Sequence, residues 1–235
     1  MPPEMDTHSF TLLTDTAPGL LLDNSDHYFY PTKTYRVVNG EGVTLRPECN
    51  YFGFVSGGIA KISFGQRPKY TLLAGMYFSS PGTFKLENTT CNHTLVLIEV
   101  LPEKHYETIG FSSFFTIGGP VESKGRLSAG EGLTQTALIP PLRSGDPSLV
   151  HQHYTSDIVE PHKVRPHYSL SIVTKGHGFC TSPFGNVRVE SGNVFLIKES
   201  GYNYAPGVDG QPHPVGKHGI ETRNSSIDLI TFLPK

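Results

Sequence analysis

The sequence has no tryptophan, three methionines and three cysteines in 235 residues. Cys49, Cys91 and Cys180 lie far apart and form no CxxC pair, and an odd count argues against a disulfide framework. Each reads as a small buried apolar residue rather than a nucleophile. A reducing, cytoplasmic location is the default expectation. No apolar run approaches the roughly 20 residues that span a bilayer, so no membrane partner is expected. The opening residues, MPPEMDTHSF, lack the basic start and apolar stretch of a signal peptide. Neither charge sign dominates: 19 basic and 21 acidic side chains give a net charge of -2, and nucleic acid is not an expected partner. SGDPSL lacks the Lys-Ser/Thr of a phosphate loop, and no GxSxG nucleophile elbow is present. Helical periodicity is almost absent as well.

What the chain does have is glycine (25) and proline (19), which suit many short strands joined by turns. Short apolar runs such as Tyr51 to Val55, Leu95 to Val100, Leu170 to Val173 and Val194 to Ile197 are bounded by Gly, Pro, Ser or Asn. The runs also repeat. Arg46-Pro47 lies 11 residues before Gly57, and Arg165-Pro166 lies 11 residues before Gly176. A Gly-led apolar strand follows in each copy, at Gly75 and at Gly192, and each copy closes on a strand ending in Leu-Pro. A period above roughly 100 residues means duplicated domains rather than a solenoid. All-β domains of this size close into barrels or double-sheet jelly rolls to hide their edges.

A strand ending in Gly, a turn, and then GNVFLIKESGYNY resembles the half-motifs of the cupin superfamily. IGGPVESKGRL and LIPPLRSGDPSL further resemble bicupins that carry such stretches between two barrels. The resemblance covers most of residues 35–235. It implies an all-β bicupin, two double-stranded β-helix (jelly-roll) barrels in one chain. The expected divisions are an N-terminal arm over 1–34, a degenerate barrel over 35–102, a connection over 103–140 and the active barrel over 141–235. The arm would pack on the other barrel or on a neighbouring subunit, and a homodimer is a possible assembly.

A metal-binding cupin typically places an HxH, a Glu and a later His around Fe(II), Mn(II) or Zn(II). Alternate residues of a strand face one side, so an HxH delivers two imidazoles to one point. Counted from Gly176, those slots hold Lys163, Arg165, Ser169 and Asn203, and none is a usual ligand. The N-terminal copy holds Thr44, Arg46 and Asn50, with Phe84 near the late slot. The resemblance therefore implies degenerate metal motifs and no metal cofactor. Lys163, Arg165, His167 and Ser169 alternate, so one reading places all four inside the barrel. Two interior cations need an anion, which points to a small anionic substrate. Arg165 would clamp it in a fork, with Ser169 and Asn203 also on the binding side. Lys163 would act as base or imine former, and His167 would transfer the proton. The competing reading has Lys163 and Arg165 snorkelling to water at the barrel mouth.

A second cluster is His151, His153, Glu160 and His162. Were the two segments a hairpin, His151 would face His162 and His153 would face Glu160. That set is the fallback site for Fe, Mn or Zn, although the face of this HxH is also one that can point outward. Without metal, His153 and Glu160 are reserve catalytic residues and His151 a reserve binding residue. His213 and His218 lie in a long Gly/Pro-rich connection, which reads as a lid carrying Asp209, His213 or His218, or as a solvated loop.

Three function classes follow. The first is a metal-independent isomerase, lyase, dehydratase or cyclase acting on an acidic or enolisable small molecule. The second is a metal-dependent oxygenase or isomerase using the displaced histidines. The third is a non-catalytic ligand-binding bicupin, because RPHYSLSIVTKGHG also resembles the sugar-sensing barrel of AraC-type regulators. No helix-turn-helix segment is expected after the barrel, which ends at Lys235, and that weakens the third class.

Overall fold

Alternating apolar residues between Gly, Pro and Asn turns make strands, and the described residues contain strands and turns but no helix. The computed structural model describes residues 5–13, 17–27, 30–87, 92–101, 115–119, 127–141, 146–200 and 203–234. Cys91 and half of the expected 103–140 connection fall outside them. The chain divides into two units, residues 15–124 and the first 14 residues together with 125–235. The expected 1–34 arm is thus shared between the units. Strands β1 (Met5–Asp6) and β2 (Phe10–Leu13) belong with the C-terminal residues, and everything from residue 15 belongs with the N-terminal barrel.

The N-terminal unit contains β3 (Gly19–Asn24), β4 (Thr32–Val38), β5 (Asn50–Ser63), β6 (Tyr70–Leu73), β7 (Tyr77–Pro81), β8 (Lys85–Glu87), β9 (His93–Val100) and β10 (Thr116–Gly118). The sheet runs β10-β7-β5-β9-β4-β3, and the far end of β5 pairs with β6 and β8 instead. A single long strand therefore serves two antiparallel sheets, which is how a jelly roll closes. Its interior is aromatic: Phe64, Phe78 and Phe84 meet one another at centroid distances of 5.1–6.0 Å, and Tyr51 meets Phe84 at 5.6 Å.

The C-terminal unit repeats the plan with β11 (Leu127–Gly130), β12 (Leu133–Ile139), β13 (Ser148–Tyr154), β14 (Ser169–Thr181), β15 (Val187–Glu190), β16 (Val194–Ile197), β17 (Tyr204–Pro206), β18 (Pro212–Pro214), β19 (Gly219–Glu221) and β20 (Ile227–Leu233). Here β14 is the long strand, pairing with β16 and β20 first and with β15 and β19 beyond His177. β2 pairs with β16, setting Phe10 against Ile197 and Leu12 against Phe195, and all four side chains enter this unit's core.

The repeat is real but offset by one residue from the sequence reading. Gly176 (φ +78°) lies just beyond the β14 bulge at Thr174, and a Cβ on it would lie 1.9 Å from the Ser226 carbonyl oxygen. Its counterpart is Gly58 (φ +73°), not Gly57, with a Cβ that would lie 1.8 Å from the Asn92 carbonyl. Only glycine fits such positions. The shift exchanges faces in a strand, so the N-terminal counterpart of Ser169 is Tyr51 rather than Asn50.

Candidate functional site

In the C-terminal unit, side chains from several strands and two connecting segments converge on one cavity. Gln152 and Tyr154 come from β13, Ser169 and Ser171 from β14, and Leu229 and Thr231 from β20. Glu160, Lys163 and Arg165 come from the segment between β13 and β14, and His218 from just before β19. Strand alternation explains the first set: residues two apart share a face. Ile197 and Ile220 complete the lining, and the free space is about 10 Å³, room for about one water molecule.

The polar groups fall into two classes. One is internally satisfied. Tyr154 Oη donates to Glu160 Oε2 at 3.3 Å, and Lys163 Nζ pairs with Glu160 Oε1. Ser171 and Thr231 hydroxyls meet at 2.9 Å, and Thr231 donates to Gln152 Oε1 at 2.8 Å. That last bond turns the Gln152 amide so that its NH2 is spare. In the other class, Gln152 Nε2, Arg165 Nε, Ser169 Oγ and His218 Nε2 are buried without a hydrogen-bond partner among the described residues. Four such atoms around one cavity are costly unless something polar joins them.

His218 is 2% exposed. Its Nδ1 donates to the Gly216 carbonyl at 2.7 Å. Burial pulls its pKa down to about 4, opposed by that carbonyl and assisted by the Arg165 and Lys163 charges. The ring is therefore neutral near pH 7, and Nε2 carries a bare lone pair. Burial, with the Glu160 carboxylate beside it, raises the Tyr154 phenol far above its ordinary value, so this hydroxyl stays protonated.

Of the residues expected at this site, Lys163, Arg165 and Ser169 line the cavity, and Glu160 joins them. His167 does not. The expected strand from 163 is interrupted by a bend at Pro166–His167, because proline removes a ladder donor, and the alternation restarts only at Ser169. Asn203 is exposed beside the β17–β18 ribbon, away from the lining. His213 sits on that ribbon and bonds Asp209 at 2.9 and 3.0 Å. His218 was expected in a lid or a solvated loop; its signal was slight, a histidine between Gly216 and Gly219 just ahead of apolar Ile220.

The expected hairpin between 151–153 and 160–162 does not form. β13 pairs with β12 and β20, setting His151 against Thr136 and Ile230 and His153 against Thr134 and Asp228. Residues 158–160 run beside β19 instead, with Glu160 N donating to Ile220 O at 2.8 Å. Both histidines therefore occupy the face of β13 opposite Gln152 and Tyr154. There His151 Nε2 and His153 Nδ1 each lie 2.9–3.0 Å from Asp228 Oδ1. His162 bonds Thr181. No group of three or more metal-capable side chains forms among the described residues. The cavity's donors do not fit a metal ion either. His218 and Glu160 are its usual ligand types, and Lys163 and Arg165 place two positive charges beside them.

The N-terminal barrel holds a different arrangement. Glu99 is 0% exposed and accepts from Arg46 Nε (3.1 Å) and Nη2 (2.8 Å), Tyr51 Oη (2.9 Å) and Tyr35 Oη (3.1 Å). Both carboxylate oxygens are satisfied. Beside it Cys49 is buried, with its thiol pushed up to about 11 by burial and then by Glu99. Cys180 is wholly buried, and its thiol is raised too.

No family model and no curated protein sequence matches the chain. Solved structures do. A Pseudomonas aeruginosa protein described as glyoxylate-induced matches with TM-score 0.68 at 13% identity, over 99% of this chain and 91% of that one. A cupin 2 conserved barrel domain protein from Leptotrichia buccalis matches with TM-score 0.59 at 12% identity, over 100% and 92%. A salicylate 1,2-dioxygenase from Pseudaminobacter salicylatoxidans matches with TM-score 0.62 at 10% identity, over 99% and 86%. At such identities the likeness concerns the fold: the chain carries the all-β, two-barrel cupin jelly roll.

Proposed function

We propose that the C-terminal barrel binds a small carboxylate- or enolate-bearing molecule, admitted as the partly exposed Lys163 and Arg165 side chains move aside, and acts on it without a metal, as an isomerase, lyase or related proton-transfer enzyme. The observation that carries this reading is the set of four unpartnered buried polar atoms on one cavity, three of them able to donate and one an accepting imidazole nitrogen. Arg165 and Lys163 supply the positive charge. Gln152 and Ser169 offer further donors to the same anion. His218 Nε2, neutral and unpaired, is placed to accept a proton, the role expected of His167. Lys163 is bonded to Glu160, so it serves here as a charge rather than as a nucleophile.

A second reading is a non-catalytic binder. It is favoured by the satisfied Tyr154–Glu160–Lys163 chain, a fixed arrangement suited to holding a ligand. The test is calorimetric titration of the chelator-treated protein with a panel of small mono- and dicarboxylates, followed by nuclear magnetic resonance of any ligand held in deuterated water. Saturable binding lost in Arg165→Ala, with exchange of a ligand C–H for deuterium, is the expected result. Binding without exchange selects the second reading, and no binding across the panel by a folded protein overturns both.

A further inference from the structure

Strands β1 and β2 belong to the C-terminal unit, and the bend between them reaches the segment that carries His218. Ser9, 0% exposed, donates from Oγ to the Lys217 carbonyl at 2.7 Å. The neighbouring His8 carbonyl accepts from Gly216 N at 3.0 Å, and the Ser9 carbonyl accepts from Lys198 N at 2.8 Å. Ser9 is itself fixed by Thr7, whose hydroxyl accepts from the Ser9 and Phe10 amides at 3.1 and 3.0 Å. Gly216, φ +78°, is held so tightly that a Cβ there would lie 2.6 Å from the Lys198 carbonyl oxygen and 2.8 Å from that of Glu199. Its own carbonyl then receives the Nδ1 proton of His218.

We infer that Ser9 is a positioning residue for the cavity: through Lys217 and Gly216 it fixes which nitrogen of His218 carries the proton and aims the other one inward. A carbonyl can only accept, so a Gly216 oxygen held 2.7 Å from Nδ1 selects the Nδ1–H tautomer. Residues 218 and 9 are distant in sequence, yet the bend between the chain's first two strands sets the chemistry of a ring contributed near its end. The charged groups facing that ring are Arg165, Lys163 and Glu160, with the Tyr154 hydroxyl from β13. The hydrogen bonds of Ser9 go to Thr7, Lys198 and Lys217 and to none of these four, so a change in the ring reports on its anchoring.

This inference rests on His218 being the accepting group of the proposed site, but its test needs no ligand. Full-length protein labelled with nitrogen-15 histidine is titrated by nuclear magnetic resonance, with His218→Gln assigning the signal. The parent should show a single neutral Nδ1–H tautomer at pH 7. Ser9→Ala should show a mixed tautomer and a titration moved up by about one pH unit, as the ring gains access to water. Ser9→Thr, which keeps the hydroxyl, should restore the parental pattern. His8→Ala should leave it unchanged, because His8 holds Gly216 through its backbone. Gly216→Ala, which displaces the accepting carbonyl, should reproduce the effect of Ser9→Ala if the latter does not fold. A folded Ser9→Ala or Gly216→Ala protein with the parental tautomer and titration overturns the inference. Failure of carboxylates to bind the parent overturns the proposed function and leaves this result standing.

Discussion

Lys163 and His218 are joined through both of their backbone groups: Lys163 N donates to His218 O at 2.7 Å, and His218 N donates to Lys163 O at 2.8 Å. This bridge lies outside the named strands. It fixes the spacing between the segment bearing Glu160, Lys163 and Arg165 and the segment bearing His218. The cationic wall of the cavity and its imidazole are thus set by backbone geometry, and side-chain substitutions can be read for their chemistry.

The first prediction concerns acid stability. His218 titrates at about 4 in the fold against an ordinary 6.5, chiefly because it is buried. Between those values the unfolded chain binds a proton that the native state does not, so stability rises with pH and falls on acidification. The stabilisation is complete above pH 6.5 and is lost progressively down to about pH 4, on the order of 3 kcal/mol in all. His162, lowered mainly by burial, adds to the same slope. Asp228 and Glu99, both lowered, act only below their ordinary values of 3.8 and 4.5. Urea midpoints from pH 7 to 4 should therefore fall less steeply in His218→Gln than in the parent.

Arg165→Lys tests whether geometry or charge holds the anion. Arginine offers a planar fork, whereas lysine offers a point charge on a flexible stem. Arg165→Lys should weaken carboxylate binding by about tenfold or more, equivalent to roughly 1.4 kcal/mol. Arg165→Ala should lose about 2–4 kcal/mol of transition-state stabilisation if the guanidinium meets developing charge. Calorimetry and steady-state rates on the same preparations separate the two effects.

Glu160 competes with any ligand for Lys163. Glu160→Gln keeps the shape and removes one negative charge from the cavity, so small carboxylates should bind more tightly, by roughly 3–10-fold, while the ligand-free protein melts lower. Equal affinity in the parent and the variant would mean that the anion sits elsewhere.

The sequence carried the architecture because glycine, proline and alternation speak directly about backbone. Gly176 and the paired Leu-Pro endings marked two copies of one barrel. They missed by one residue in the first copy because Gly57 and Gly58 are adjacent, and only the φ of Gly58 distinguishes them. The site was half legible. Lys163, Arg165 and Ser169 were found by counting from a glycine, and Glu160 was found as part of a cluster that does not form. His167 was misplaced because strict alternation was carried through Pro166. His218 was read only as a lid or loop residue, because its burial depends on contacts with no sequence signature: a backbone bridge to Lys163, and a Ser9 hydroxyl more than 200 residues away on the adjoining Lys217 carbonyl.

The last prediction separates the two barrels. Glu99 in the N-terminal unit is buried, and its carboxylate accepts four hydrogen bonds from Arg46, Tyr35 and Tyr51. Burial alone would raise its pKa, but Arg46 and then Tyr51 outweigh it and hold the group below the ordinary carboxylate value. Its stabilising effect is therefore present above about pH 4.5 and lost as pH falls through the lowered value. Glu99→Gln leaves Arg46 without its counter-charge and places an amide among donors. The guanidinium is partly exposed, so water recovers some of the loss, and the cost should be about 2–4 kcal/mol. The melting temperature at pH 7 should fall accordingly, with a smaller difference from the parent at pH 3. Carboxylate affinity should stay at the parental value, since every group proposed to hold the anion lies in the other unit. A Glu99→Gln protein that keeps its melting temperature but loses the ligand would instead place the binding site in the N-terminal barrel.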